Sequence, residues 1–144
     1  MAGELDIHWA SGRGDLDGAI AVREQVFCVE QGVPVEEEID GRDEQAMHLV
    51  AVEDGRVVAT LRLLLEGQNA KIGRVAVRRE QRRRGIARRM LDLAVEAARA
   101  HGCERASLAS QLYATGLYEQ AGFAVDSAPF EDAGLPHVWM RRAL

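Results

Sequence analysis

The chain has little of what marks a specialised class of protein. Its 144 residues include two cysteines and three prolines. Cys28 and Cys103 stand far apart, so no disulfide scaffold and no Cys-x-x-Cys pair is available, and both read as reduced cytoplasmic thiols. Aromatic residues make up 5%, too few for the stacking platforms of a single-stranded nucleic-acid binder. A net charge of −5 also argues against nucleic acid as the main partner, because counterion release needs a basic face. No apolar run approaches the roughly 20 residues that cross a bilayer, so no membrane partner is expected. Residues 1–10 carry Glu4, Asp6 and His8 with no apolar stretch behind a basic head, and so read as neither signal nor transit peptide. The histidines are dispersed, and the acids of residues 36–43 do not make the full ligand set of a calcium loop. No metal is expected.

What is present is an ordinary globular composition, 47% apolar and 28% charged, in a length that suits one domain over residues 1–144. The charges are segregated along the chain: acid concentrates in residues 30–44 and base in residues 78–89. From Asp15, read as an N-cap, Leu16, Ala19, Ile20, Val26 and Phe27 follow helical spacing until Gly32 and Pro34 stop it. Residues 35–45 read as a loop or a short second helix. Two Val- and Leu-rich strands, 48–53 and 56–65, meet at Asp54-Gly55, the signal for a tight hairpin. A third strand, 70–77, follows. Ile86, Met90, Leu93, Ala94 and Ala97 then share one helical face, ended by Gly102. A strand at 105–109, a helix at 113–120 and strands at 123–127 and 137–142 complete the pattern. This order predicts a mixed sheet with helices on its faces.

The informative junction runs from strand to basic turn to helix: Val75-Ala76-Val77, then Arg78 to Arg84, then Gly85-Ile86-Ala87. A helix start leaves backbone N–H groups unpaired and carries partial positive charge, so this turn is an anion site. Gly85 and Ala87 are small enough for a phosphate to approach the backbone. Arg82, Arg83, Arg84, Arg88 and Arg89 add long-range attraction for a charged ligand. No Gly-Lys-Ser or Gly-Lys-Thr is present, and Gly12-Arg13-Gly14 lacks the third glycine and preceding strand of a dinucleotide fingerprint.

The sequence resembles the GNAT superfamily of N-acetyltransferases, whose signature after a strand is Gln or Arg, two residues, Gly, one residue, then Gly or Ala. Arg82, Gly85 and Ala87 match it in register. A later signature is matched by Ala114, Leu117, Tyr118, Gly122 and Phe123, with Gln111 where Asn is usual. Val26-Phe27, Glu30-Gln31, Val33-Pro34, Asp40, Asp43, His48 and the run Gly134 to His137 are similar to the ElaA-like branch, so the likeness covers nearly the whole chain. It implies an α/β (α+β) fold of the GNAT type, a central mixed, mostly antiparallel sheet flanked by helices on both faces. It also implies acetyl-CoA as cosubstrate, an amine acceptor and no metal, and leaves a homodimer open. By this likeness the backbone of Arg83, Arg84, Gly85, Ile86 and Ala87, with Arg82, holds the CoA pyrophosphate, while Val75, Ala76 and Val77 pair with its pantetheine arm.

Acetyl transfer needs a neutral amine, a donor to the developing oxyanion and a proton for the leaving thiolate. The likeness implies a backbone N–H of residues 75–77 for the second and Tyr118 for the third. The base is open, because residues 70–77 contain no carboxylate: water, Glu30, His48 and His137 are the candidates, the three side chains also bordering the expected acceptor cleft. Cys28 and Cys103 have no activating context, which favours direct transfer. The acids of residues 30–43 are expected to draw in a cationic amine. The alternative is a catalytically silent acyl-CoA-binding module.

Overall fold

A computed structural model of the chain describes residues 3–144. Met1 and Ala2, the first residues of the supposed non-leader segment, lie outside the described residues. The first element is one the sequence pattern does not announce: strand β1 (Leu5–Trp9) pairs antiparallel with β2 (Met47–Glu53), Ile7 opposite Ala51. Its alternation of apolar and polar residues spans only five positions, short of what a pattern argument can register.

Helix α1 (Arg13–Arg23) is capped by Gly12 rather than Asp15. Asp15 sits in the first turn, where its carboxylate pairs with His8 Nε2 at 3.0 Å and fastens the helix to β1. The next residues widen into a π-helical segment, Glu24–Glu30, followed by the single turn α2 (Val35–Glu38) and a 3₁₀ turn at Asp43–Gln45. α1 lies very close to the sheet: a Cβ added at Gly18 would meet Val57 Cγ2 at 2.4 Å. Only glycine allows this approach.

Strands β2, β3 (Arg56–Glu66) and β4 (Asn69–Val77) form the expected antiparallel meander. Helix α3 (Ile86–Ala100) then crosses to β5 (Arg105–Gln111), which lies parallel to β4. α4 (Thr115–Gln120) leads to β6 (Ala124–Val125), β7 (Phe130–Asp132) and β8 (Leu135–Ala143). The sheet order is β1-β2-β3-β4-β5-β8-β6, with β7 paired to β8, and β4/β5 is its one parallel pair among the described residues.

Three boundaries differ from the sequence expectation. β5 extends to Gln111, so the helix expected from residue 113 begins as a 3₁₀ turn, Leu112–Ala114, ahead of α4. The strand expected at 123–127 shrinks to β6. β7 is additional; its hairpin to β8 turns at Ala133 and Gly134, both left-handed (φ 53° and 77°). Alanine there, in place of Asn or Asp, conceals the turn signal.

The main core lies between one face of the sheet and α3. Ile86, Met90, Leu91 and Ala94 pack among Leu61, Leu63, Ile72, Leu108 and Met140, all buried. On the opposite face Val22 and Val26 pack on Ala76, with Phe27 and Val57 at the border. Helices therefore cover both faces.

The feature that matters for function is a bulge in β4. Register passes from Arg62 opposite Gly73 to Thr60 opposite Ala76, so β4 takes one residue more than β3. Arg74 absorbs it with φ 52°. A left-handed non-glycine residue costs roughly 1–2 kcal/mol, and such bulges re-aim side chains beside functional sites. Pairing between β4 and β5 covers Asn69–Ile72 against Arg105–Leu108 and goes no further. Beyond Ile72 the two strands part.

Candidate active site

A cleft of about 770 Å³ opens where β4 and β5 separate. Val75, Ala76 and Val77 form one wall; Leu108, Ala109 and Gln111 form the other. α4 contributes Leu117 and Tyr118, and the π-helical segment contributes Val26 and Phe27, with Gln31 beyond it. A strand edge that has lost its neighbour inside a sheet presents N–H and C=O groups to any extended ligand that can replace the neighbour.

One end of the cleft reaches the basic turn. Arg82 Nε donates to Val77 O at 2.9 Å, and its Nη2 donates to Glu30 Oε2 at 2.6 Å. Arg82 and Ala87 line the cleft, whereas Arg83, Arg84, Gly85 and Ile86 are not among its lining residues. Ile86 is core, and Arg84 grips Glu53 on β2, its Nη1 at 3.0 Å from Oε1. Arg88 pairs with Asp92. Three of the five arginines expected to attract a ligand are thus engaged by carboxylates. Arg83 and Gly85 are both left-handed, φ 64° and 76°. α3 then starts with no capping side chain and no acidic residue in its first turn. Its first internal bond is Arg89 N to Gly85 O, 3.1 Å, which leaves the earlier N–H groups of the helix start without an intrahelical acceptor.

The opposite side of the cleft rests on a buried ion network that sequence reasoning missed. Arg23 is 1% exposed. It donates to both oxygens of Glu38 at 2.8 Å and to both of Asp43 at 2.9 and 3.2 Å. Arg62 clasps Asp40 at 2.8 and 2.7 Å and reaches Asp43 at 3.1 Å. Arg74, aimed by its bulge, donates to Glu38 Oε2 at 3.2 Å and to the Glu38 carbonyl at 2.8 Å. The Arg62 hydrogen bonds hold the Asp40 carboxyl well below the usual range, against the opposing pull of burial. Burial alone would raise Asp43; Arg23 and then Arg62 outweigh it and bring it down. The acids expected to attract a cationic amine are therefore largely neutralised from within: Glu38, Asp40 and Asp43 by arginines of the fold, and Glu30 by Arg82. Among the lining carboxylates only Glu37, Glu131 and Asp132 have no ion pair among the described residues. Arginines 23, 62 and 74 carried no sequence motif, and only the excess of acid in residues 30–44 hinted that internal partners were needed.

The remaining candidates separate clearly. Tyr118 is 8% exposed and lines the cleft. Burial, with a smaller contribution from Tyr113, pushes its phenol well above the usual range. It is protonated at any working pH. His137 also lines the cleft, buried at 8% exposure. His48 does not line it: buried on β2, its Nε2 is bonded to the Asp43 carbonyl at 2.9 Å. Glu30 too lies outside the lining, held by Arg82. Gln111 lines the cleft and donates from Nε2 to Gln31 Oε1 at 2.8 Å, while Gln31 donates onward to Tyr113 Oη at 3.2 Å. Burial, then the charges of Glu38 and Glu24, push the Cys28 thiol up, the reverse of an activated nucleophile. Among the described residues, no three His, Cys, Asp or Glu side chains converge as a metal would require.

Comparison with known proteins agrees with this geometry. Residues 17–144 match the family described as "Acetyltransferase (GNAT) domain". The N-acetyltransferase YjcF of Bacillus subtilis is 32% identical over 134 residues, covering 92% of this chain and 96% of that one. An acyl-CoA N-acyltransferase from Pseudomonas aeruginosa superposes with a TM-score of 0.87 at 30% identity, over 97% of this chain and 100% of the other. Escherichia coli ElaA superposes with a TM-score of 0.84 at 26% identity, over 95% and 99%.

Proposed function

Because the chain belongs to the GNAT acetyltransferase family, we propose that it moves an acetyl group from acetyl-CoA directly onto a primary amine. The observation that carries this reading is the parting of β4 from β5 at Ile72. It leaves a backbone edge, Val75 to Val77, that leads straight into the Arg82–Ala87 turn. An extended pantetheine arm fits the edge as a missing strand. A pyrophosphate fits the uncapped start of α3, whose N–H groups and dipole are uncompensated by acid. Arg82, placed beside that turn, supplies positive charge.

In this arrangement a backbone N–H of residues 75–77 donates to the oxygen on which charge develops. Tyr118 faces the same cleft from α4 and offers its phenolic proton to the departing sulfur. Cys28, its thiol pushed up, and Cys103, buried, stand outside the cleft lining and offer no activated nucleophile, which favours direct transfer over an acyl-enzyme. Both cysteines are free, and we place the protein in the reducing cytoplasm on that ground.

The test is to mix the purified chain with acetyl-CoA and benzylamine, spermidine, glucosamine or a short peptide with a free N-terminus, and to follow thiol release. CoA binding is measured separately by calorimetry. Thiol release that depends on an amine is the expected result. CoA binding with no release for any amine would identify a silent acyl-CoA-binding module instead.

A further inference from the structure

His137 is held in one tautomer by the fold. Its Nδ1 lies 2.8 Å from the Leu135 carbonyl. A carbonyl oxygen only accepts, so the proton of the neutral ring is on Nδ1 and Nε2 carries a bare lone pair. Among the described residues, no group is bonded to Nε2. Nor is Nε2 a sealed, orphaned atom: among the described residues only Gln81 Oε1 is a buried side-chain polar atom without a partner. Nε2 is thus accessible, and the cleft is the space that His137 lines.

The ring plane is fixed as well. His137 lies opposite Phe130 in the β7/β8 pairing, and the two rings stack at 6.0 Å with 26° between planes. Phe130 stacks in turn on Trp139 at 5.6 Å, and the sequence's single lysine, Lys71, places its ammonium 5.5 Å from the Trp139 ring. The imidazole thus belongs to a rigid row of three aromatic rings on the β7/β8 wall of the cleft.

The other groups lining the cleft are poor proton acceptors. Glu38 and Asp40 are bound by arginines, Arg62 and Arg74 are themselves cations, and Tyr118 holds its proton. Glu37, Glu131 and Asp132 are exposed at the rim, where water solvates them. We propose that His137 Nε2 is the proton acceptor that turns the bound ammonium into the nucleophile, the role left unfilled because β4 carries no carboxylate. This rests on the acetyl-transfer reading above.

The proton balance is simple. Nε2 takes one proton from the ammonium and passes it to solvent. The freed nitrogen pair forms the C–N bond as the carbonyl π pair moves to oxygen. When the C=O bond re-forms, the C–S bond breaks and the sulfur takes the Tyr118 proton. The surplus proton on nitrogen then restores the phenol. One proton goes to solvent, one moves from nitrogen to sulfur, and no oxidant or further reactant is needed.

The experiment compares wild type with His137→Asn, whose side-chain amide keeps a donor for the Leu135 carbonyl but has no base, using the most reactive of the four amines above at saturating acetyl-CoA. Expected is a loss of kcat of about 10²- to 10⁴-fold, with CoA affinity and melting temperature held. In His137→Ala, added imidazole should restore part of the turnover. Nitrogen-15 spectra of the wild-type histidines should show the His137 proton on Nδ1. A His137→Asn variant keeping more than about half of wild-type kcat would overturn the assignment while leaving acetyl transfer intact. So would a joint loss of CoA affinity and folding, which marks a structural residue. A wild-type proton on Nε2 would overturn it without any amine. A wild-type chain that acetylates no amine would sink the acetyl-transfer reading and the base with it.

Discussion

Arg82 and Glu30, 52 residues apart, meet at 2.6 Å beside the mouth of the cleft. The carboxylate reads in the sequence as an acceptor-binding group, but its partner is an arginine of the turn proposed above for the CoA pyrophosphate, and on that reading it competes with phosphate for Arg82. Glu30→Gln should therefore tighten CoA binding. A rim charge of this kind is worth up to about 1 kcal/mol, so the expected gain is roughly three- to fivefold in Kd, shrinking as salt is added. Calorimetry at two ionic strengths measures it. Unchanged CoA affinity together with a raised KM for the amine would return Glu30 to the acceptor side.

Gly85→Glu addresses the turn itself. Position 85 is left-handed, and an added Cβ meets nothing within 4 Å, so the variant folds with a strain of roughly 1–2 kcal/mol. The new carboxylate lies at the helix start, where the pyrophosphate is expected. CoA binding should disappear while circular dichroism stays native. A folded variant that still binds CoA normally would place the phosphates elsewhere.

For Tyr118→Phe the ring and its edge-on packing against Phe123, 6.5 Å between centroids, are retained. If the phenol serves the departing sulfur, kcat falls by about 10²- to 10⁴-fold with little change in CoA affinity or melting temperature. Thermal melts and steady-state kinetics on the same preparations separate this from a packing role, which would leave kcat near that of wild type.

Arg23→Met leaves Glu38 and part of Asp43 buried without their principal cation. Breaking a buried pair in this way costs about 3–5 kcal/mol, or a melting point lower by roughly 10–15 °C for a chain of this size. Chemical denaturation provides the check. A loss below about 1 kcal/mol would mean that water reaches the network and screens it.

Acid should loosen the same region. Asp40 and Asp43 are both held below their ordinary range in the folded chain. Their stabilising contribution is thus complete above about pH 4, where the unfolded carboxyls ionise, and drains away as pH falls below that value. His8 has the opposite sign: the hydrogen bond it donates to Asp15 raises it, so its contribution is present at acid pH and fades as pH rises past its raised value. Melting temperatures across pH 2–8 should fall on the acid side, and the acid slope should flatten in Asp40→Asn.

The sequence carried the fold well wherever a pattern was long. The meander about Asp54-Gly55 and the helix through Ile86, Met90 and Ala94 stand as read. β1 and β7 escaped because five and three residues establish no period. The strand-to-helix turn at Gly85 was legible because its geometry is local. The Arg23, Arg62 and Arg74 network was not, since its pairs join residues 15 to 36 positions apart and depend on a bulge that no residue type announces. His137 was visible only as one candidate among several. Its tautomer is set by a carbonyl two residues away, which no sequence pattern expresses.

The break between β4 and β5 has a bearing on how this surface tolerates change. On the acetyl-transfer reading, recognition along Val75 to Val77 rests on amide groups that every residue but proline supplies. Side-chain replacements there, provided they respect volume, should pass almost silently through a mutational scan, while one proline on the open edge would be conspicuous. A binding surface written in the backbone is in this sense indifferent to spelling, and a lineage can revise the letters around it freely while the ligand goes on reading the same line.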